Sequence, residues 1–261
     1  MKKLSFKEKK FNIFLNDIFN LGQTLKYYQK KKKYFKILNR NEFKTEVDLV
    51  VHSNLSKIIK RFINKPIISE EDKNFYSLPK SFWLIDPIDG TRSFINGFDG
   101  YVIQGCFINS KKIILSFIFA PKKNLFWHAI KGKGVFVNGK KIKKTKKLDV
   151  ILVDNYPKPR GIAKIVFQKL PAKKYIECGS FGLKCALIVS NIANLFVKNV
   201  KFYDWDIMPA VLMLKELNYF VSDLKGNQIK LSSNLKKTKG LIVTNNKQLL
   251  KKTLKLKLHD K

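Results

Sequence analysis

The stretch "WLIDPIDGTRSF", residues 83–94, ends an apolar run with two aspartates three positions apart, a proline between them and a glycine behind. Residues 82–86 have the composition of a short buried strand, and Pro87 with Gly90 turns the chain into a short helical segment over 91–95. Asp86 and Asp89 therefore stand at a strand's exit. Carboxylates leaving a strand there can converge on one point, where mutual repulsion with no cation nearby would cost kilocalories. The chain carries 53 Lys+Arg against 19 Asp+Glu, so acids are scarce, and a bound divalent metal is the simplest reason to crowd two of them here.

Working outward, apolar residues at 11, 14, 15, 18 and 19 predict a helix over 6–29 that the lysines at 30–33 end in solvent. A second helix is predicted over 46–62, with Thr45 as its cap. After the opening stretch, strand-like runs at 101–108, 113–119 and 125–130 are joined by hairpin-length connections, an antiparallel meander. The tract 137–149 is the most linker-like in the chain, although its Asn-Gly is also an ordinary tight turn. A division into an N-terminal lobe, 1–145, and a C-terminal lobe, 146–261, is placed there. Beyond it strands (150–154, 174–178, 195–198, 219–223, 240–244) interleave with helices (160–168, 183–191, 206–217). The fold class is mixed α/β (α+β).

At 261 residues and 45% apolar composition the chain can fill a core without staples. Cys106, Cys178 and Cys185 have neither paired spacing nor zinc-ligand spacing, which fits a reducing, cytoplasmic setting. The amphipathic start is not a signal peptide, and the longest apolar runs, such as residues 113–120, fall far below the roughly 20 residues of a membrane helix. A soluble protein with no membrane partner is expected. The formal charge of +34 invites polyanions, yet four of the 53 basic residues are arginine (Arg40, Arg61, Arg92, Arg160), leaving 49 lysines. Nucleic-acid surfaces favour arginine for forked contacts, and no recognition motif is present, so no specific nucleic acid is expected. The histidines at 52, 128 and 259 match no ligand spacing and read as structural.

Two further acidic groups lack an obvious salt-bridge role: "SEED", residues 69–72, and Asp206 in "YDWDIMPA", residues 203–210. Hard oxygen ligands suit magnesium. Singly, Asp86 and Asp89 could be turn-forming residues, Glu70 a helix-start residue and Asp206 an N-cap. In order and spacing, however, "SEED", "WLIDPIDGTRSF" and "YDWDIMPA" resemble the inositol monophosphatase family. "KTEVD", residues 44–48, is similar to its Thr-x-x-Asp element, and "CGSFGLK", residues 178–184, to its Gly-Ser segment. The resemblance spans roughly residues 10–230.

The resemblance implies a layered αβαβα sugar-phosphatase fold and a magnesium-dependent phosphoric monoester hydrolase. It implies that Glu70, Asp86 and the Ile88 carbonyl hold one magnesium, that Asp86, Asp89 and Asp206 hold a second, and that a looser third would use Glu70 and water near Asp48. Metals about 4 Å apart can clamp the attacking and leaving oxygens of a phosphoryl displacement and acidify a bound water. By resemblance Thr91 orients that water, Asp48 holds the Thr91 hydroxyl and Glu70 accepts a proton. Gly90 and Thr91 open a short helix whose amides favour phosphate. Trp205 is expected beneath the metal site, and Glu71, Asp72 and Asp204 as solvated neighbours. Lithium sensitivity and a homodimer are further implications.

The leaving-group pocket separates the family's members, and Asp89, Gly90, Thr91, Gly179, Ser180 and Lys198 are its expected substrate contacts. Inositol monophosphatases usually carry an acid about eight positions before the last aspartate, but here that position is Lys198. A basic residue there favours a doubly phosphorylated substrate. The candidates are inositol monophosphate and 3'-phosphoadenosine 5'-phosphate, with histidinol phosphate and fructose 1,6-bisphosphate as alternatives. An inactive, polyanion-binding relative is the alternative of another class. Two departures from the family pattern predict altered packing: Met208-Pro209, with Pro209 read as lying harmlessly in the first turn of its helix, and Leu217-Asn218-Tyr219.

Overall fold

A computed structural model describes residues 8–31, 37–39, 44–72, 77–145, 149–237 and 239–258. The expectation for His259, the first two residues of the predicted N-terminal helix and the end of the lysine run after Lys31 lie outside the described residues.

Two large sheets and three helical layers alternate because the central strands are buried on both faces. Two short ribbons, β1-β2 (Ile37–Asn39, Lys44–Thr45) and β13-β15 (Phe202–Tyr203, Lys236–Lys237), and the short helix α3 (Thr91–Ile95) complete the described strands and α-helices. The larger sheet has seven strands in the order β3-β4-β5-β6-β7-β8-β9 (Ile67–Ser69, Ser81–Asp89, Val102–Asn109, Lys112–Ala120, Leu125–Ile130, Gly134–Val137, Lys140–Lys141), antiparallel except for β3 beside β4. On β4, Trp83 and Ile85 face one way and Phe82 and Leu84 the other, each pair fully buried. The Trp83 face is covered by α1 (Glu8–Lys30) and α2 (Glu46–Phe62), where Phe14 stacks on Phe62 with ring centroids 4.4 Å apart. Gly22 lets α1 approach β6, since a Cβ there would lie 2.1 Å from the Phe119 ring.

The Phe82 face packs on α5 (Phe181–Val189) and α6 (Asp204–Glu216). Their other side meets a five-stranded sheet, β11-β10-β12-β16-β14 (Ala172–Glu177, Val150–Asp154, Leu195–Lys198, Leu241–Thr244, Phe220–Ser222). On β12, Phe196 faces α5 and α6, while Leu195 and Val197 face outward to α4 (Gly161–Lys169) and α7 (Lys247–Leu254). The layers therefore run αβαβα, as the resemblance implies.

Most predicted elements are present, with boundaries that matter in three places. The strand carrying the aspartates runs through Asp89 and does not stop at Asp86. The Asn-Gly of the linker-like tract is a hairpin turn between β8 and β9, with Asn138 and Gly139 both at positive φ (46° and 78°). And α6 starts at Asp204, two residues before the expected start, so Pro209 is its sixth residue. A proline there removes the helical donor to the carbonyl four residues back, that of Trp205. No described helix is long and apolar enough to cross a membrane.

Candidate metal centre

A three-residue spacing on a regular strand puts side chains on opposite faces. Here a bulge corrects that: Asp86 pairs with Gln104 and Asp89 with Val102, so Pro87 and Ile88 oppose Ile103 alone. Residues 104 and 102 share a face, and so do their aspartate partners. The bulge also absorbs a proline that could not donate to a regular ladder. Immediately after it, Gly90 takes φ +94°, and a Cβ there would meet the Gly100 carbonyl at 2.5 Å. Only glycine makes this turn without strain.

Asp206 enters from the first turn of α6, accepting from the Tyr203 amide at 2.6 Å. Ligand oxygens of Asp86, Asp89 and Asp206 all lie within 4.8 Å of one another. Glu70 follows β3, whose parallel pairing with β4 sets its amide 3.3 Å from the Ile85 carbonyl. Its carboxyl stands close enough to that of Asp86 for each to perturb the other. Four carboxyl groups from three separate segments thus meet at one place. Burial raises the Asp86 and Asp206 carboxyls well above their usual range, and the charges of their neighbours raise them further. Among the described residues no Lys or Arg forms an ion pair with any of the four.

Asp89 is held differently. Its Oδ2 accepts from Ser180 Oγ (2.6 Å), the Gly182 amide (2.6 Å) and Gln104 Nε2 (3.2 Å), and Oδ1 from the Phe181 amide (3.2 Å). It therefore sits on the N-terminus of α5, where amides and dipole favour an anion. Burial still raises its pKa, against these bonds and the charge of Lys184. Ser180, expected to meet substrate, spends its hydroxyl on Asp89 and accepts the Leu183 amide at 2.9 Å. The Gly179 carbonyl accepts from Asn155 Nδ2 and Lys184 Nζ, each at 3.2 Å. Gly90 and Gly179 border a cavity of ≈ 960 Å³ shared with Asn155 and Tyr156.

Thr91 donates to the Ile88 carbonyl at 2.9 Å, while Asp48 Oδ1 stands 3.4 Å away. Asp48 Oδ2 takes both the amide (2.7 Å) and the hydroxyl (2.6 Å) of Thr45, the cap of α2. Burial nevertheless pushes Asp48 up to about 6. Lys198 is paired with buried Asp154 at 2.7 Å, a partner that the sequence reading did not supply. His52 Nδ1 bonds Ser69 Oγ at 2.9 Å, beside Glu70.

Asp204 is not a solvated neighbour. It is fully buried, paired with Lys237, and accepts the Ser232 amide and hydroxyl at 2.8 and 2.9 Å. The segment that supplies these partners lies about 30 residues downstream, beyond any local signal. Asp72, likewise expected in solvent, accepts the Ser69 amide at 2.8 Å. Trp205 is 6% exposed and stacks on Tyr203 at 4.5 Å. The sequence reading missed Gln104, a lone amide in the apolar run "YVIQGCFI", and the burial of Lys184 within "GLKCALIV". A polar residue interrupting an apolar run was the available signal. Lys184 is fully buried, 5.2 and 5.0 Å from the ring centroids of Phe181 and Phe196, and burial lowers its pKa.

Residues 18–258 match the model of the inositol monophosphatase family. The chain belongs to that family. Among its curated relatives, the 3'(2'),5'-bisphosphate nucleotidase CysQ of Haemophilus influenzae is 28% identical over 240 residues, covering 84% of this chain and 86% of the relative. The fructose-1,6-bisphosphatase/inositol-1-monophosphatase of Methanocaldococcus jannaschii is 29% identical over 235 residues, covering 87% and 91%. The solved inositol monophosphatase of Thermotoga maritima superposes with a TM-score of 0.78 at 21% identity, covering 97% of this chain and 99% of that one.

Proposed function

We propose that this protein is a magnesium-dependent phosphomonoesterase of a small phosphorylated metabolite, inositol monophosphate or 3'-phosphoadenosine 5'-phosphate. The observation that carries the reading is the convergence of Asp86, Asp89 and Asp206 within 4.8 Å, beside Glu70, with none of the four in an ion pair to a Lys or Arg among the described residues. Their hard oxygens, crowded and partly stripped of solvent, fit a divalent cation such as magnesium. Glu70, Asp86 and the Ile88 carbonyl would hold one ion, and Asp86, Asp89 and Asp206 another. Bound magnesium supplies Lewis-acid charge to phosphoryl oxygens and acidifies water.

The chain's own groups do the rest. Thr91 Oγ1, anchored on the Ile88 carbonyl, presents lone pairs to the attacking water. A carboxylate oxygen of Glu70 takes the water's proton as the new P–O bond forms and the ester P–O bond breaks. The departing alkoxide takes a proton from solvent water. Asp48 braces Thr91 from the first turn of α2. Lys198, next to the Tyr156 ring at 5.2 Å and held by Asp154, supports a substrate with a second anionic group.

The test is phosphate release from inositol 1-phosphate, 3'-phosphoadenosine 5'-phosphate, fructose 1,6-bisphosphate and histidinol phosphate, with magnesium and with EDTA. Release that requires magnesium and falls by several orders of magnitude in Asp89→Asn is expected. Release from none of the four, or release indifferent to EDTA, would sink the reading.

A further inference from the structure

Gln104 is the third residue of β5 and has no exposed surface, where the meander would be expected to bury an apolar residue. Its Nε2 is 3.2 Å from Asp89 Oδ2, 3.1 Å from the Trp205 carbonyl and 3.4 Å from the Asp206 carbonyl. All three neighbours are acceptors, so the amide can face them only with its NH2 group. The opposite end, Oε1, has no hydrogen-bond partner among the described residues. A buried orphan acceptor is a cost that folds ordinarily avoid, and its presence asks for a role other than stability.

Two features elsewhere in the sequence fit around this amide. Gly182 leaves room for it: a Cβ there would lie 2.1 Å from Gln104 Oε1 and 3.1 Å from Asp89 Oδ2. Pro209 cannot donate to the Trp205 carbonyl as a helical residue would, and Gln104 supplies a donor to that same oxygen. One side chain thus ties the end of β4 to the start of α6, the two elements that deliver Asp89 and Asp206. With Gln104, Ser180 and Gly182 all on Oδ2, Oδ1 of Asp89 is left with a single 3.2 Å contact to the Phe181 amide.

We propose that Gln104 is a positioning residue that fixes the separation and rotation of Asp89 and Asp206, and so sets the affinity of the centre for a divalent cation. The inference rests on the proposed metal centre and adds a residue to it. Groups that orient metal-binding carboxylates typically change affinity by about 10–100-fold when removed.

The experiment titrates Mn2+ into the metal-stripped full chain, following free Mn2+ by electron paramagnetic resonance, with thermal melts in EDTA alongside. Gln104→Met keeps the side chain's length and removes the donor. It should melt in EDTA close to wild type and bind Mn2+ about 10–100-fold more weakly. A folded Gln104→Met with affinity within about threefold of wild type overturns the proposal. If Gln104→Met does not fold, Gln104→Asn takes its place with the same expectation, its amide one methylene too short to reach Asp89. Failure of both to fold assigns Gln104 to the fold itself and also overturns the proposal. Wild type that binds no Mn2+ would instead sink the metal centre, and this inference with it.

Discussion

Removing divalent cations should make this protein less stable as pH rises, and restoring magnesium should help most at high pH. The reason lies in the sign of the carboxyl shifts. Each of Asp48, Glu70, Asp86, Asp89 and Asp206 has a folded-state pKa raised above its unfolded value, chiefly by burial. Between the two values the folded state holds a proton that the unfolded chain has lost, so stability falls as pH increases. The contribution is fully present below the unfolded pKa and is lost as pH passes through the folded one. Asp48 sets the scale, because it is 2% exposed and rises from 3.8 to about 6. A shift of about 2 units at ~1.4 kcal/mol each makes ~3 kcal/mol for Asp48, gone once the pH is well above 6.

A cation in the centre replaces those protons with a charge that does not titrate away. The melting temperature gained on adding magnesium should therefore grow between about pH 5 and pH 8, by roughly 6–12 °C if ~3 kcal/mol is recovered. Differential scanning calorimetry with EDTA and with millimolar magnesium reads this directly. Taking the difference at each pH cancels groups remote from the site. Replacing Asp86 and Asp206 together by Asn should raise stability in EDTA near pH 8 and abolish the magnesium gain. An equal gain at pH 5 and pH 8, or none at either, would refute the argument that these carboxyls are buried against one another for a cation.

Two other groups give independent tests. His128 is buried among Phe11, Phe126 and Phe136, stacked on the last at 5.0 Å, and burial pulls its pKa down to about 4. Its shift runs the opposite way: the folded state binds fewer protons, so stability is lost as pH falls from about 6.5 through 4, by ~3 kcal/mol in all. Urea unfolding of His128→Phe should show a shallower acid limb than wild type, and parallel limbs would contradict the assignment. Lys237→Met strands fully buried Asp204 without its cation, and should cost ~3–5 kcal/mol in the same assay. A change under about 1 kcal/mol would mean that the two Ser232 bonds suffice.

The parts of this protein that were legible in its sequence are those decided within a few residues. Thr45 marked the start of α2, and apolar runs with turn residues between them marked the meander. The opening motif announced its aspartates because Pro87 and Gly90 punctuate the strand. What escaped were contacts closed across the fold. Asp204 and Asp206 look alike in "YDWD", yet one is claimed by Ser232 and Lys237 and the other by the acidic cluster, a distinction set by partners far along the chain. The α7 helix, "KQLLKKTL", buries only Leu249 and Thr253, too thin a stripe to read. Placing the start of α6 two residues late also made Pro209 look harmless. With the helix beginning at Asp204, that proline frees a carbonyl at the edge of the candidate centre, and the residue that answers it, Gln104, sits 101 positions earlier in a strand that otherwise reads as plain core. Local pattern thus located the acids, while the chemistry that orients them became visible only where β5 meets α6.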